Sequence, residues 1–443
     1  MPQGGPTIRL GIPGLDEQLG GLPRGYIILL AGYPGSGKTT FASQFIYEGL
    51  RGGERGLYVS FVEPKEDFYR NSSKLGLDFA HYEARGLFRY YEALNVSTPE
   101  ALSDLIQDVL TQVDSMGASR LAVDSVTAIS QLAGDAPKVR EIMHSALYAG
   151  LKRRGVTTVL IAELPVGTRF AGLGPEEFIA DGVIVMKYRY VRGKMERYAE
   201  IRKMRGFNVR DARVPIALTD RGVVFPAPVS AASLASGVRP RRVIDIMGLK
   251  VPEGSSVLIA FDPSIDPLWV TVRKIVVPAL RAGLKVSYTS YVHGLATIRH
   301  AVEGCLGEVP ENRLRLEAED AVSLTAGEAE SRTYVKEIDF GPDLVVCEGE
   351  NVLSEFMDRD DYTRIIYRIL LRRGMKGVTT VHLYAARKED VWSIPLVKSY
   401  DYVMYLGRAE RGLKLEHLKA FGSVEPPTSS TIEFTDGDCL PIH

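Results

Sequence analysis

The eight residues Gly32-Tyr33-Pro34-Gly35-Ser36-Gly37-Lys38-Thr39 satisfy the pattern G-x-x-x-x-G-K-[ST], and the chain contains one such match. They follow an apolar run, Tyr26-Ile27-Ile28-Leu29-Leu30-Ala31, that reads as a buried strand. After them Phe41, Phe45 and Ile46 recur at helical spacing. Strand, glycine loop and helix in that order is the context the motif requires. Glycines let consecutive backbone N–H groups turn toward a polyphosphate, and the helix N-terminus adds positive potential. Gly32, Gly35, Ser36, Gly37 and Thr40 therefore shape the cradle, Lys38 reaches the outer phosphates, and the Thr39 hydroxyl ligates Mg²⁺. The ligand this predicts is a nucleoside triphosphate, with ATP and Mg²⁺ as the expected pair.

A chain of 443 residues exceeds one ordinary core and suits two domains. With 54 Lys+Arg against 55 Asp+Glu, the formal net charge is -1, and global charge gives no support for nucleic-acid binding. Cys305, Cys347 and Cys439 lie far apart without metal-ligand spacing, a sparse set that suits a reducing interior. The seven His residues are also scattered, and no zinc-type cluster can be drawn from them. No apolar stretch approaches the roughly 20 residues of a membrane span, and the first residues have no signal-peptide character. The expectation is a soluble, cytoplasmic protein.

The sequence rhymes across a small-residue, Pro-containing stretch that ends near residue 240. Leu22-Pro23-Arg24-Gly25 matches Val251-Pro252-Glu253-Gly254 at an offset of 229, and Arg51-Gly52-Gly53 matches Arg281-Ala282-Gly283 at an offset of 230. Arg153-Arg154-Gly155-Val156-Thr157-Thr158-Val159 returns as Arg372-Arg373-Gly374, then Gly377-Val378-Thr379-Thr380-Val381. Three matches in one order at nearly one offset indicate duplication. Each half alternates short β-branched runs with longer amphipathic stretches, which predicts an α/β domain with a mainly parallel twisted sheet flanked by helices. The predicted organisation is a nucleotide domain over 1–228, a linker over 229–240 and a second domain over 241–443.

A phosphate loop needs an acidic partner for Mg²⁺, and Arg120-Leu121-Ala122-Val123-Asp124 supplies an apolar strand ending in Asp124. Hydrolysis further requires a group that orients or deprotonates water. Glu63, just past the strand Leu57-Tyr58-Val59-Ser60-Phe61, reads either as that base or as a solvated Glu capping the helix that begins near Pro64. Glu163, after a second apolar run, is a candidate γ-phosphate sensor.

The opening Leu10-Gly11-Ile12-Pro13-Gly14-Leu15-Asp16, then Leu19-Gly20-Gly21-Leu22-Pro23-Arg24-Gly25, then the phosphate loop, resembles the start of a KaiC-type ATPase of the RecA-like superfamily. Residues 175–184 and Glu200-Ile201-Arg202-Lys203-Met204-Arg205-Gly206 agree with it. The resemblance implies two tandem RecA-like domains, with ATP held between neighbouring subunits of a homo-oligomeric, hexameric ring. It also implies that Lys203 and Arg205 reach the neighbour's nucleotide in the manner of an arginine finger. The family usually carries two adjacent glutamates after the second strand, the first serving as base. Here that pair is Val62-Glu63. Slow turnover, a regulatory role and an unidentified protein partner are the corresponding expectations.

In the second half, residues 31–40 align with Ala260-Phe261-Asp262-Pro263-Ser264-Ile265-Asp266-Pro267-Leu268-Trp269, so Lys38 becomes Pro267 and Thr39 becomes Leu268. An Asp in a phosphate nest repels the ligand and a Pro removes an N–H from it. Lys203-Met204-Arg205-Gly206 becomes Lys419-Ala420-Phe421-Gly422, without the arginine. This half is predicted to bind no ATP by the same mechanism. A rival reading, an ATP-dependent DNA-binding protein, draws on the basic, tyrosine-interleaved segment Lys187-Tyr188-Arg189-Tyr190-Val191-Arg192-Gly193-Lys194. A solvated hairpin explains that segment equally well. A third reading is a non-hydrolysing ATP-sensing scaffold.

Overall fold

The computed structural model describes residues 7–93, 99–127, 148–167, 180–191, 193–209, 213–226, 242–410, 412–420 and 429–432. The predicted linker, residues 175–179, Arg192, Phe421, Gly422 and Cys439 lie outside these. The chain divides into two compact units, one of Met1–Pro228 with Gly327–Arg332 and one of Val229–Ala326 with Thr333–His443.

The principal sheet of the first unit has eight strands: β1 Ile27–Gly32, β2 Gly56–Ser60, β3 Phe88–Glu92, β4 Arg120–Asp124, β5 Thr157–Glu163, β6 Gly182–Val191, β7 Lys194–Met204 and β8 Arg213–Pro215. Their order across the sheet is β8-β7-β6-β1-β5-β4-β2-β3. The five pairings from β6 to β3 are parallel, and β7 and β8 add an antiparallel edge. Every residue of β1 is buried, as expected for a parallel strand covered on both faces. Its side chains alternate between two apolar cores, Ile28 and Leu30 in one and Ile27, Leu29 and Ala31 in the other. Helix α1, Lys38–Arg51, packs Phe41, Phe45 and Ile46 into the first of these cores. Burying each such side chain stabilises the fold by about 1.5–3 kcal/mol.

The second unit repeats the topology. Its strands are β9 Ser256–Phe261, β10 Val286–Ser290, β11 Leu314–Ala318, β12 Leu344–Glu348, β13 Thr379–Ala385, β14 Tyr402–Arg408, β15 Leu413–Ala420 and β16 Ser429–Ile432. The order β16-β15-β14-β9-β13-β12-β10-β11 matches the first sheet strand for strand. The two halves share local devices too. Gly25 N–H donates to Thr157 Oγ1 and Gly254 N–H to Thr379 Oγ1, each at 3.0 Å. Both glycines have positive φ, 71° and 85°, and a Cβ there would meet the backbone of Gly155 at 3.2 Å and of Gly374 at 3.0 Å. Glycine is required at both for conformation and for space. The fold is thus two tandem α/β RecA-like domains, as the resemblance implied.

One detail of the alignment changes. The first helical hydrogen bond runs from Phe41 N to Gly37 O in the first half and from Thr271 N to Pro267 O in the second. Strands β1 and β9 correspond at an offset of 229, the helices that follow them at 230. The second loop is therefore one residue longer, and Leu268, rather than Pro267, takes the place of Lys38.

Candidate nucleotide site

The phosphate loop links the C-terminal end of β1 to the start of α1, beyond the carboxyl ends of the parallel strands where ligands of such sheets bind. Gly35 and Gly37 have φ of 72° and 103°. A Cβ on Gly32 would lie 2.1 Å from Met186 O, so the loop sits tight against β6. Gly37 caps α1 with no side-chain hydrogen bond, leaving the helix N-terminus to other acceptors. Ser36 Oγ is buried with no hydrogen-bond partner, and Thr40 lies half-buried in the first turn. An anionic group with several acceptor oxygens fits this combination.

Lys38 Nζ donates to Gly32 O at 3.0 Å and Tyr33 O at 2.8 Å, and lies 3.1 Å from Glu163 Oε2 at the end of β5. Thr39 Oγ1 donates to Asp124 Oδ2 at the end of β4, 2.7 Å away, and Tyr58 OH donates to the same oxygen at 3.0 Å. The parallel register β1-β5-β4-β2 brings these carboxylates side by side. Burial pushes the Asp124 carboxyl above its ordinary range, opposed by the hydrogen bonds from Thr39 and Tyr58. Thr39 and Asp124 form a hard oxygen pair suited to Mg²⁺.

Glu63 follows β2. Ser60 Oγ accepts from the Val62 and Glu63 N–H groups at 3.3 and 2.9 Å, and Asn71 Nδ2 donates to Glu63 Oε1 at 2.8 Å. Burial raises the Glu63 carboxyl, and the Asn71 hydrogen bond partly offsets it. Val62 is 65% exposed, an apolar side chain in solvent at the position where the family places its first glutamate. Tyr58, Ser60 and Asn71 were not singled out in the sequence. Tyr58 is signalled only by a hydroxyl inside an otherwise apolar run.

Lys203 and Arg205 do not join this constellation. Lys203 faces Val183, and Met204 faces Gly182, which pairs with Ile28 near the start of β1, at the opposite end from the loop. Arg205 Nη1 lies 3.7 Å from Asp181 Oδ1. Any role at a nucleotide is therefore not played within the chain's own loop. Two cations of the basic hairpin are paired within it: Arg189 Nε bonds Glu196 Oε2 at 2.5 Å and Lys187 Nζ lies 3.4 Å from Glu200.

In the second half Glu348 replaces Asp124 and takes the corresponding hydrogen bond, from Tyr288 OH at 2.8 Å. His293 replaces Glu63, its Nδ1 3.1 Å from Glu348 Oε1 and its Nε2 3.6 Å from Asp266 Oδ2. Lys419 occupies the place of Lys203 and donates to Lys398 O at 2.8 Å. The expectation that no His cluster can be drawn is corrected here, because topology joins residues far apart in sequence. Asp266, His293 and Glu348 form one group, and Cys347, Glu350 and His382 form another. Cys305 is disulfide-bonded and Cys347 is a buried free thiol, so the cysteines are not uniformly reduced. Among the described residues no helix is long and apolar enough to cross a membrane.

A profile of the KaiC ATPase family matches residues 8–229. A UPF0273 protein of Aeropyrum pernix is 35% identical over 237 residues, 50% of this chain and 94% of that protein. The UPF0273 protein PH0284 of Pyrococcus horikoshii is 33% identical over 238 residues, 50% of this chain and 95% of that one. The circadian clock protein KaiC3 of Synechocystis is 34% identical over 236 residues, 51% of this chain and 46% of that protein.

Proposed function

The chain belongs to the KaiC ATPase family, and we propose that its first domain is a slow, Mg²⁺-dependent ATPase working as a regulatory switch coupled to ring assembly. The observation that carries this reading is the convergence of Lys38, Thr39, Asp124 and Glu163 on a glycine loop with an unpartnered Ser36 hydroxyl.

Lys38 gives up Glu163 and the two loop carbonyls to meet the terminal phosphates. Thr39 and Asp124 hold the Mg²⁺, which neutralises phosphate charge when bound. Glu63, oriented by Asn71, directs the attacking water. Val62 offers no second carboxylate, and because loss of a base costs about 10²–10⁴ in rate, turnover is expected to be slow while binding survives. Lys203 and Arg205 act on the nucleotide of an adjacent subunit. The second domain serves the assembly or an unidentified regulatory protein. The balance of 54 Lys+Arg against 55 Asp+Glu supports nucleic acid not being the partner.

Bound ATP per chain, measured together with oligomeric mass with and without Mg·ATP, tests the reading. One ATP per chain and a nucleotide-dependent rise in mass are expected. Two ATP per chain, or one mass under both conditions, overturns it.

A further inference from the structure

The two sheets bury opposite chemistry at matching positions. In the first half Val123, Val126, Leu151, Leu160, Ala162 and Ala180 belong to one apolar core. The shared register places Cys347, Glu350, Arg373, His382, Tyr384 and Tyr400 at those positions in the second half, all at most 3% exposed. Replacing an apolar layer by polar groups costs about 1–3 kcal/mol for each group left unsatisfied. Fold maintenance does not call for these residues, since the sister domain closes the same layer without them.

Internal pairing satisfies part of the set. Arg373 Nε bonds Glu337 Oε1 at 2.7 Å, and Arg372 Nε bonds Glu337 Oε2 at 3.1 Å. Tyr362 and Tyr384 share a hydrogen bond of 2.8 Å, and Tyr400 OH lies 2.6 Å from His382 Nδ1. Two atoms remain. His382 Nε2 and Glu350 Oε2 have no hydrogen-bond partner, although Glu350 Oε2 approaches His382 Nδ1 to 3.2 Å. Cys347 Sγ, on the neighbouring strand directly opposite His382, completes a trio in which one ligand atom from each residue, either ring nitrogen serving for His382, lies within 4.8 Å of the others.

We propose that Cys347, Glu350 and His382 form a buried site for a divalent transition metal of the zinc class. A tetrahedron with zinc-type bonds has edges of about 3.3–3.8 Å, so the ligand atoms need draw together by about 1 Å to hold the ion. Thiolate, imidazole and carboxylate together favour zinc over Mg²⁺ or Ca²⁺, which take oxygen ligands. The His382 contact with Tyr400 is the kind of outer hydrogen bond that fixes the ring of a metal-bound histidine. Arg373, 3.8 Å from Sγ, shares Glu337 with Arg372, so its positive charge also favours a thiolate at Cys347. The Asp266–His293–Glu348 group makes a weaker claim, because both imidazole nitrogens there already face carboxylates.

The test uses the untagged full chain purified without chelator. Elemental analysis is expected to give about one zinc per chain. Replacing it with Co²⁺ is expected to produce a thiolate-to-cobalt charge-transfer band. Cys347→Ser and His382→Asn are expected to lose the band and weaken Zn²⁺ binding at least about tenfold, while Asp266→Ala changes neither. The wild-type cobalt spectrum reads the thiolate directly, so the proposal stays testable if a variant misfolds. Zinc below about 0.1 per chain without a cobalt thiolate band overturns it, as does metal retained in Cys347→Ser and lost in Asp266→Ala.

Discussion

His293 stands where Glu63 stands. In both halves the backbone N–H of this residue donates to a serine hydroxyl three residues earlier, Glu63 to Ser60 at 2.9 Å and His293 to Ser290 at 2.8 Å. The turn is the same, and one carries a carboxylate while the other carries an imidazole. With Leu268 in place of Lys38, the second half lacks both the lysine and the carboxylate that the first half carries at these two positions.

Lys38→Ala is therefore expected to abolish saturable ATP binding to the whole chain, read by calorimetry. A residual site of one ATP per chain would assign nucleotide binding to the second half.

Glu63→Gln is expected to lower kcat by about 10²-fold or more with little change in ATP affinity. Because burial raises the Glu63 carboxyl, activity should fall on acidification at a higher pH than an ordinary carboxylate gives. A base works deprotonated, so the rate rises as pH climbs through its pKa. Unchanged turnover and an unchanged acid limb in the variant would remove Glu63 from the chemistry.

The phosphate loop, its flanking strand and helix, and the duplication were legible because each is a local pattern, a fixed spacing of Gly and Lys or a period of apolar residues. Asp124 was legible because it ends an apolar run. Tyr58 and Asn71 were not, since nothing local marks a hydroxyl or an amide that meets a carboxylate from another segment. The grouping of His382 with Cys347 was likewise hidden, as 35 residues separate two positions that parallel pairing sets side by side. The extra residue between Phe261 and Leu268 escaped because strand and helix each align well by themselves.

Glu163→Gln removes a negative charge that competes for Lys38 and faces incoming phosphate. A half-exposed ion pair is worth up to about 1 kcal/mol, so ATP is expected to bind up to about fivefold more tightly. Weaker binding would show that Glu163 holds the loop in its receptive shape.

Tyr58→Phe deletes the hydrogen bond to Asp124 Oδ2 without removing the ring. The Mg²⁺ concentration for half-maximal activity is expected to rise about tenfold with KM for ATP little altered. An equal change in both would place the effect on folding of the site as a whole.

Arg205→Ala is expected to impair turnover, and mixing it with Lys38→Ala subunits should restore part of the activity. Absence of rescue would remove the trans role and leave Arg205 to its contacts within the chain, the ion pair with Asp181 among them.

The longer loop of the second half has a historical consequence. Substitutions at Pro267, Leu268 and Trp269 can return glycine, lysine and threonine to the start of the helix, but one residue too many would still separate β9 from it. Reversal requires a deletion coordinated with several replacements, none of which helps without the others. Phosphate chemistry is therefore several concerted changes away from this half, whereas other uses of its loop are open to single substitutions.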